Sequence, residues 1–260
     1  MGNRRLPALL TIFLYCLLSA VPHANAAARP KALYYGFSQS GQGFCGLGGI
    51  SIEKILQEGR CPEPATVDAM DIIAVTKGGA AIEFWKNPDY SGYDYNQFHL
   101  PKPSALVITR PEANILIINI SGSARTIDEW DEEIDKAVGT MQDLHENVEK
   151  IYLQPVGTGP LDSNGQPVQC MKEGQVVRAI SNHPDIMAAI TRVVGRHDMV
   201  ELGLVARVST CDYFADKGGH YNDNGGAAEV RQQIHDFYSG LAGPADTVAP
   251  QPPGDFRLDE

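Results

Sequence analysis

Asn114-Ile115-Leu116-Ile117-Ile118-Asn119-Ile120 is the strongest strand signal in the chain, and the segments on either side of it decide the fold. Ser121-Gly122-Ser123-Ala124 comes next. Then Ile127 to Asn147 reads as the strongest helix, with Trp130, Ile134, Val138, Met141 and His145 recurring at three- and four-residue spacing. Lys150 to Gln154 is the next strand. Working outward, Lys31 to Gly36 and Asp71 to Thr76 read as strands, with Ile50 to Gln57 a helix between them. Beyond Gln154, Pro184 to Gly195 reads as a helix, Met199 to Val208 as a strand and Ala227 to Tyr238 as an amphipathic helix. Strands alternating with helices in this way predict a three-layer α/β/α sandwich with a mainly parallel central sheet. Two stretches, Tyr90 to Pro103 and Gly157 to Gly174, read as loops, and loops after strand ends are where such folds carry their sites.

The N-terminus reads as an export signal over residues 1–26. Arg4 and Arg5 supply the positive charge, Leu6 to Val21 is apolar, and Ala24-Asn25-Ala26 is an A-x-A cleavage site. The apolar run is short against the roughly 20 residues of a membrane span. A periplasmic or secreted protein without a stable membrane anchor is therefore expected. Residues 27–242 suit one α/β domain, and 243–260, rich in proline and poor in apolar residues, read as a disordered tail. Beyond the signal four cysteines remain: Cys45, Cys61, Cys170 and Cys211. An even count in an exported chain favours two disulfides, and of the three connectivities Cys45–Cys61 with Cys170–Cys211 is preferred, because each pair brackets one strand–helix segment. No C-x-x-C spacing points to zinc. With 32 Asp+Glu against 21 Lys+Arg and a net charge of −11, the chain is not expected to bind nucleic acid or anionic lipid. The sequence leaves the oligomeric state open.

Chemistry concentrates in Asp216-Lys217-Gly218-Gly219-His220-Tyr221-Asn222-Asp223-Asn224-Gly225-Gly226, where an acid and a histidine share a glycine-rich turn ahead of the last helix. Such a loop can supply a general base and the acid that orients it. Three other segments come directly after strands. They are Gly36-Phe37-Ser38-Gln39-Ser40-Gly41 after the first, Thr76-Lys77-Gly78-Gly79-Ala80-Ala81-Ile82-Glu83-Phe84-Trp85 after the second, and Ser121-Gly122-Ser123-Ala124 after the third. All four are expected at the carboxyl edge of one sheet.

This order resembles the SGNH (GDSL-type) hydrolase superfamily, and the Gly-Gly-Ala-Ala-Ile-Glu-Phe-Trp run looks particularly like its carbohydrate and sialate acetylesterases. The resemblance spans about Lys31 to Tyr238. It implies an SGNH/flavodoxin-like sandwich that hydrolyses a carboxylic ester, such as an O-acetyl group on a glycan, by a Ser-His-Asp mechanism without metal or organic cofactor. It makes Ser38 the nucleophile, with Ser40 as the fallback, and His220 the base. Asp216 becomes the acid, and Gly79 and Ser123 the oxyanion positions. The chain departs from the family pattern at three points. Phe37 stands where the family has Asp or Gln, and Ser123 where it has Asn. The acid and histidine are spaced D-x-x-x-H, one residue longer than usual, which leaves Asp212 and Asp223 as alternative acids.

Other residues read more plainly. His145, on its helix's apolar stripe, is a packed or helix-terminal residue. His99, His183, His197 and His235 have no motif around them. Trp85 and Trp130 are packing residues, and the acidic run Asp128 to Asp135 is a solvated helix start. Two other functions compete. The departures at Phe37 and Ser123 fit a scaffold that binds an acylated glycan without turnover. Gly41-Gln42-Gly43-Phe44-Cys45-Gly46 is a literal G-x-G-x-x-G, the dinucleotide fingerprint, but no acid stands after the second strand.

Overall fold

The computed structural model describes residues 29–45, 67, 70–76, 82, 112–122, 126–222 and 225–241. Seven strands occur among them: β1 (Lys31–Gly36), β2 (Asp71–Thr76), β3 (Ile115–Ile120), β4 (Lys150–Pro155), β5 (Met171–Lys172), β6 (Gln175–Val176) and β7 (Val200–Leu202). The helices are α1 (Ser38–Cys45), α2 (Ile127–Leu144), α3 (Arg178–Val194) and α4 (Gly226–Gly240). Five strands make one wholly parallel sheet in the order β2-β1-β3-β4-β7, and β5–β6 is a separate antiparallel hairpin. Counted along the sheet strands alone, this is the 2-1-3-4-5 order of flavodoxin-like doubly wound folds. The chain leaves β1 to one side for β2 and to the other for β3, so a crevice opens beyond the carboxyl ends of β1 and β3.

Two consecutive side chains of β1 reveal the layers, because neighbours on a strand point to opposite faces. Tyr34 Oη accepts from Gln154 Nε2 at 2.7 Å, and Gln154 Oε1 in turn accepts from Tyr238 of α4 at 2.9 Å. Tyr35 Oη bonds His145 Nε2, just past α2, at 2.9 Å. α1 packs with α4 on one face and α2 with α3 on the other, giving the expected three-layer sandwich. The sheet's centre is buried on both sides. Leu116, Ile117, Ile118 and Ile120 are fully covered, which is why β3 reads as a nearly continuous apolar run, broken only by the buried Asn119.

Local signals set α2. Thr126 and Glu129 form a capping box, each side chain accepting from the other's backbone N–H at 3.2 Å, and Asp128 and Glu129 suit the positive end of the helix dipole. Trp130 is buried as a packing residue. The acidic run is more than a solvated helix start, since Asp128, Asp131 and Asp135 pair with Arg192, Arg196 and His197 at the α2–α3 seam.

The smaller differences from the sequence reading are that α2 ends at Leu144 rather than Asn147, α4 spans Gly226–Gly240, and the stretch read as a loop over Gly157 to Gly174 contains β5. Three differences are larger. α3 begins six residues earlier, at Arg178, with Pro184 inside the helix rather than at its start; its first turn is fastened from outside, by Arg178 N–H donating to Lys217 O at 2.8 Å. β7 ends at Leu202 rather than Val208. β4 ends at Pro155, and Gly157, Gly159 and Pro160 beyond it make poor ladder residues, so pairing resumes only as the bridge Thr158–Arg207. The stretch after β1 is a helix from Ser38, not a loop, so Gly41 and Gly43 of the G-x-G-x-x-G lie within α1 instead of forming a phosphate-cradling turn. The signal segment, the Ile50–Gln57 helix, the Tyr90–Pro103 loop, Trp85, His99 and the 243–260 tail fall outside the described residues.

His145 joins both alternatives read for it, as the C-cap of α2 and a buried residue. Burial lowers its pKa from 6.5 to about 4. The unfolded chain therefore takes up a proton that the fold resists. This contribution is fully present above pH 6.5 and is lost as pH falls to about 4, a change of about 3 kcal/mol. Denaturant unfolding of wild type and His145→Gln at pH 7 and pH 4 checks this. The wild type is expected to lose about 3 kcal/mol more than the variant, and equal losses would refute it.

Candidate active site

Gly36 ends β1, and α1 starts two residues later. A Cβ at Gly36 would lie 2.1 Å from Ser40 Oγ, so only glycine lets the chain turn this tightly. Phe37 N–H donates to Ser40 Oγ at 3.2 Å, and Gly41 N–H closes the first helical bond to Phe37 O at 3.0 Å. Ser38 is thus the first helical residue, at the crevice edge of β1, where helix-start N–H groups have no intrahelical acceptor. Ser40, the fallback nucleophile, is instead buried. Its hydroxyl donates to Asn119 Oδ1 at 2.5 Å, and Asn119 Nδ2 donates to the carbonyls of Gln154 and Pro155. That satisfied polar chain fixes α1 on the sheet and commits Ser40 to structure.

The acid–histidine loop arrives from the other end of the chain. Residues 213–215 pair back on 220–222, through Ala215 N–H to His220 O at 2.7 Å and Asn222 N–H to Tyr213 O at 2.9 Å. Inside this turn Asp216 Oδ1 accepts from the N–H groups of Gly218, Gly219 and His220 at 2.8, 3.1 and 3.2 Å. Its other oxygen, Oδ2, meets His220 Nδ1 at 2.6 Å. The imidazole's far nitrogen, Nε2, stands 2.7 Å from Ser38 Oγ. The four-residue step from Asp216 to His220 turns at Gly219, whose φ of +97° suits glycine and where a Cβ would also lie 2.6 Å from Ala179 Cβ. Of Asp212 and Asp216, the two candidate acids among the described residues, Asp216 is the one bonded to His220. Asp212 sits in the Cys211–Tyr213 3-10 turn, and its carbonyl accepts from Asn222 Nδ2 at 2.5 Å.

With an acceptor on Nδ1's side, the network assigns the imidazole proton to Nδ1 and leaves Nε2 free to take one from Ser38. Partial burial pushes the Asp216 carboxyl up, but the bonds from the His220 side chain and backbone, the imidazole's charge and the Gly218 N–H outweigh it. The carboxyl lies below its ordinary 3.8. Asp216 therefore stays ionised to lower pH than a free aspartate. The side chains of both residues are about two-fifths exposed, so the site is open to solvent.

Around this centre the structure fastens the loop to the long excursion after β4. Cys170 and Cys211 form a disulfide across 41 residues, as the sequence reading preferred, and Lys217 pairs with Glu173 of the hairpin turn at 3.3 Å. A Cys170→Ala/Cys211→Ala protein is expected to lose about 4 kcal/mol of stability from the chain entropy of a loop this long. Urea denaturation of oxidised wild type against the variant checks it, and a loss under about 1 kcal/mol would contradict the chain-entropy account.

Gly79, Ser123, Asp223 and Cys61 lie outside the described residues, and with Cys61 the Cys45–Cys61 pairing. Ile82, in the run after β2, is described: it is buried, and its N–H donates to Ser121 O past the end of β3 at 2.6 Å. His183 is a buried structural residue whose Nδ1 donates to Val156 O at 2.9 Å, and His197 bonds Asp135. The sequence reading missed Gln39 and Gln42, which touch the loop on either side of His220. Their position one and four residues after Ser38, on a helix facing the loop, is a signal visible only once that stretch is known to be helical.

No family model and no curated protein matches the chain. Solved structures similar to it include a carbohydrate acetylesterase family member from Sinorhizobium meliloti, at 11% identity over 82% of this chain and 96% of that one, with a TM-score of 0.47. A two-domain esterase active on acetylated mannans is 13% identical over 86% of this chain and 53% of that one, at 0.43. Phospholipase A1 from Streptomyces albidoflavus NA297 is 10% identical over 81% and 100%, at 0.42. Likenesses this distant carry no functional argument.

Proposed function

We propose that the protein is an exported serine ester hydrolase of the SGNH type, acting on a small acyl ester such as an O-acetyl group of a glycan. The observation that carries this is the line Ser38 Oγ–His220 Nε2 at 2.7 Å and His220 Nδ1–Asp216 Oδ2 at 2.6 Å, assembled from residues 182 positions apart. In this reading Ser38 Oγ attacks the acyl carbonyl while its proton passes to Nε2. The imidazolium that forms is stabilised by ionised Asp216. The oxyanion is met by the Ser38 N–H at the start of α1 and, as the family resemblance implies, by Gly79 N–H and the Ser123 hydroxyl. The carbonyl re-forms, the alcohol leaves with the proton from Nε2, and a water deprotonated by the same imidazole releases the acid from Ser38.

The substrate class rests on the motif resemblance together with the open site. Ser123 offers one donor where the family's asparagine offers two, so turnover is expected to be slow. The test is covalent labelling of the purified protein by a fluorophosphonate, mapped to Ser38 by peptide mass, alongside acetate release from aryl acetates and acetylated glycans. Label on Ser38 with acetate released supports the reading. A protein that takes no label and releases no acetate overturns it in favour of the glycan-binding scaffold that the Phe37 and Ser123 departures also fit.

A further inference from the structure

We infer that Gln39 and Gln42 are positioning residues that lock the base to the nucleophile's own helix; this rests on the esterase reading. The backbone from Gly219 to Asn222 shows where each polar group goes. Gly219 N–H and His220 N–H donate to Asp216 Oδ1, at 3.1 and 3.2 Å. His220 O accepts from Ala215 N–H, and Asn222 N–H donates to Tyr213 O. Those bonds lie within the loop and hold its shape, but none of them ties it to Ser38. Asn222 O accepts from Ala227 N–H at the start of α4, at 3.4 Å. The remaining groups, Gly219 O and both of Tyr221's, go to α1. Gly219 O accepts from Gln39 Nε2 at 2.6 Å. Tyr221 N–H donates to Gln42 Oε1 at 2.9 Å, and Tyr221 O accepts from Gln42 Nε2 at 3.1 Å, so one side-chain amide pairs with the peptide as a neighbouring strand would.

His220 is thus gripped on both sides by side chains one and four residues beyond Ser38. Gln39 is buried, and its Oε1 also accepts from Gly157 N–H at 3.0 Å, which anchors the clamp to the chain after β4. The 2.7 Å Ser38–His220 contact is an interaction between two remote segments. The described bonds that fix these segments directly to each other, apart from that contact itself, are the three from the glutamines. An amide suits the task because it donates and accepts at once; a carboxylate at 42 would accept from Tyr221 N–H but face Tyr221 O with no proton to give.

Small displacements of a base from its nucleophile cost up to about 100-fold in rate. Gln42→Ala, and the near-isosteric Gln42→Glu in case the first folds poorly, are expected to lower kcat and the rate of Ser38 labelling by fluorophosphonate by about 10- to 100-fold. KM is expected to stay within about twofold, since the Gln42 amide is committed to the Tyr221 peptide. Backbone amide exchange at Tyr221 should quicken while that of the sheet core is unchanged. Labelled wild type with equal labelling and kcat in both variants overturns the inference alone. A loss of kcat matched by the fraction of unfolded protein also overturns it. Wild type that takes no label overturns the esterase reading itself, and unchanged Tyr221 exchange in Gln42→Ala would then remove the clamp as well.

Discussion

Ser38→Ala and His220→Ala are each expected to lower kcat by about 10⁵–10⁶-fold, and the double variant by no more than either alone. The reason is the shared proton. Ser38 Oγ is a poor nucleophile until its proton leaves, and among the described residues the acceptor bonded to it is His220 Nε2, at 2.7 Å. Without the imidazole the hydroxyl stays protonated; without the hydroxyl the imidazole has nothing to activate except water. Groups that act as one unit give losses that do not multiply, and the residual rate comes from binding and oxyanion donors. Single-turnover kinetics with an activated acetate ester on all three variants measures this. Losses that multiply would mean that the two groups act independently. Full activity in Ser38→Ala with none in Ser40→Ala would move the nucleophile to a hydroxyl that is buried and bonded to Asn119.

The sheet was legible from sequence because a parallel strand is covered on both faces. β1, β2, β3 and β4 each carry an apolar run of three or four residues without polar alternation, and their bounds fall within one residue of the reading. α2 was equally plain, since its apolar stripe and T-x-x-E start point the same way. The failures have a common cause in tertiary contact overriding local rule. Pro184 suggests a helix start, yet α3 extends six residues ahead of it because Val177, Ala179 and Ile180 are buried and Lys217 O receives the first N–H. α1 has glycines at 41 and 43, which local propensity disfavours, but a Cβ at Gly43 would lie 2.8 Å from Val230 Cγ1. Close packing on α4 selects the residues that made the helix unreadable. Ser38, His220 and Asp216, which the structure brings into one line, were legible by residue type and order, while Gly79 and Ser123 lie outside the described residues. The contacts of Gln39 and Gln42 with the loop were not legible, because both are ordinary polar residues until partners 180 and 179 positions away are known.

Asp216→Asn is expected to cost about 10⁴ in kcat while leaving the neutral-pH fold almost unchanged, and the two halves of this prediction come from the two oxygens of one carboxylate. Oδ1 holds the loop: it accepts from three backbone N–H groups, and an asparagine oxygen can accept the same bonds. Oδ2 holds the imidazole, and there asparagine presents N–H donors to a nitrogen that now also donates. The ring resolves the conflict by moving its proton to Nε2, the nitrogen that must receive one from Ser38. The substitution therefore reverses the direction of the Ser38–His220 bond without breaking the turn. Asp216→Ala removes both oxygens and is expected to lose stability as well as rate. The lowered carboxyl pKa adds a sign: Asp216 favours the fold above the unfolded-state value of 3.8, and that contribution is lost as pH falls through the lower folded value. Whatever small stability gap separates Asp216→Asn from wild type at neutral pH should therefore shrink in acid. Kinetics at pH 7 paired with thermal melts at pH 7 and pH 3 measure both halves. Near-wild-type kcat in Asp216→Asn would remove the acid assignment. A variant that is inactive because its pH 7 melting transition collapses would show the loop, rather than the tautomer, to be what Asp216 maintains.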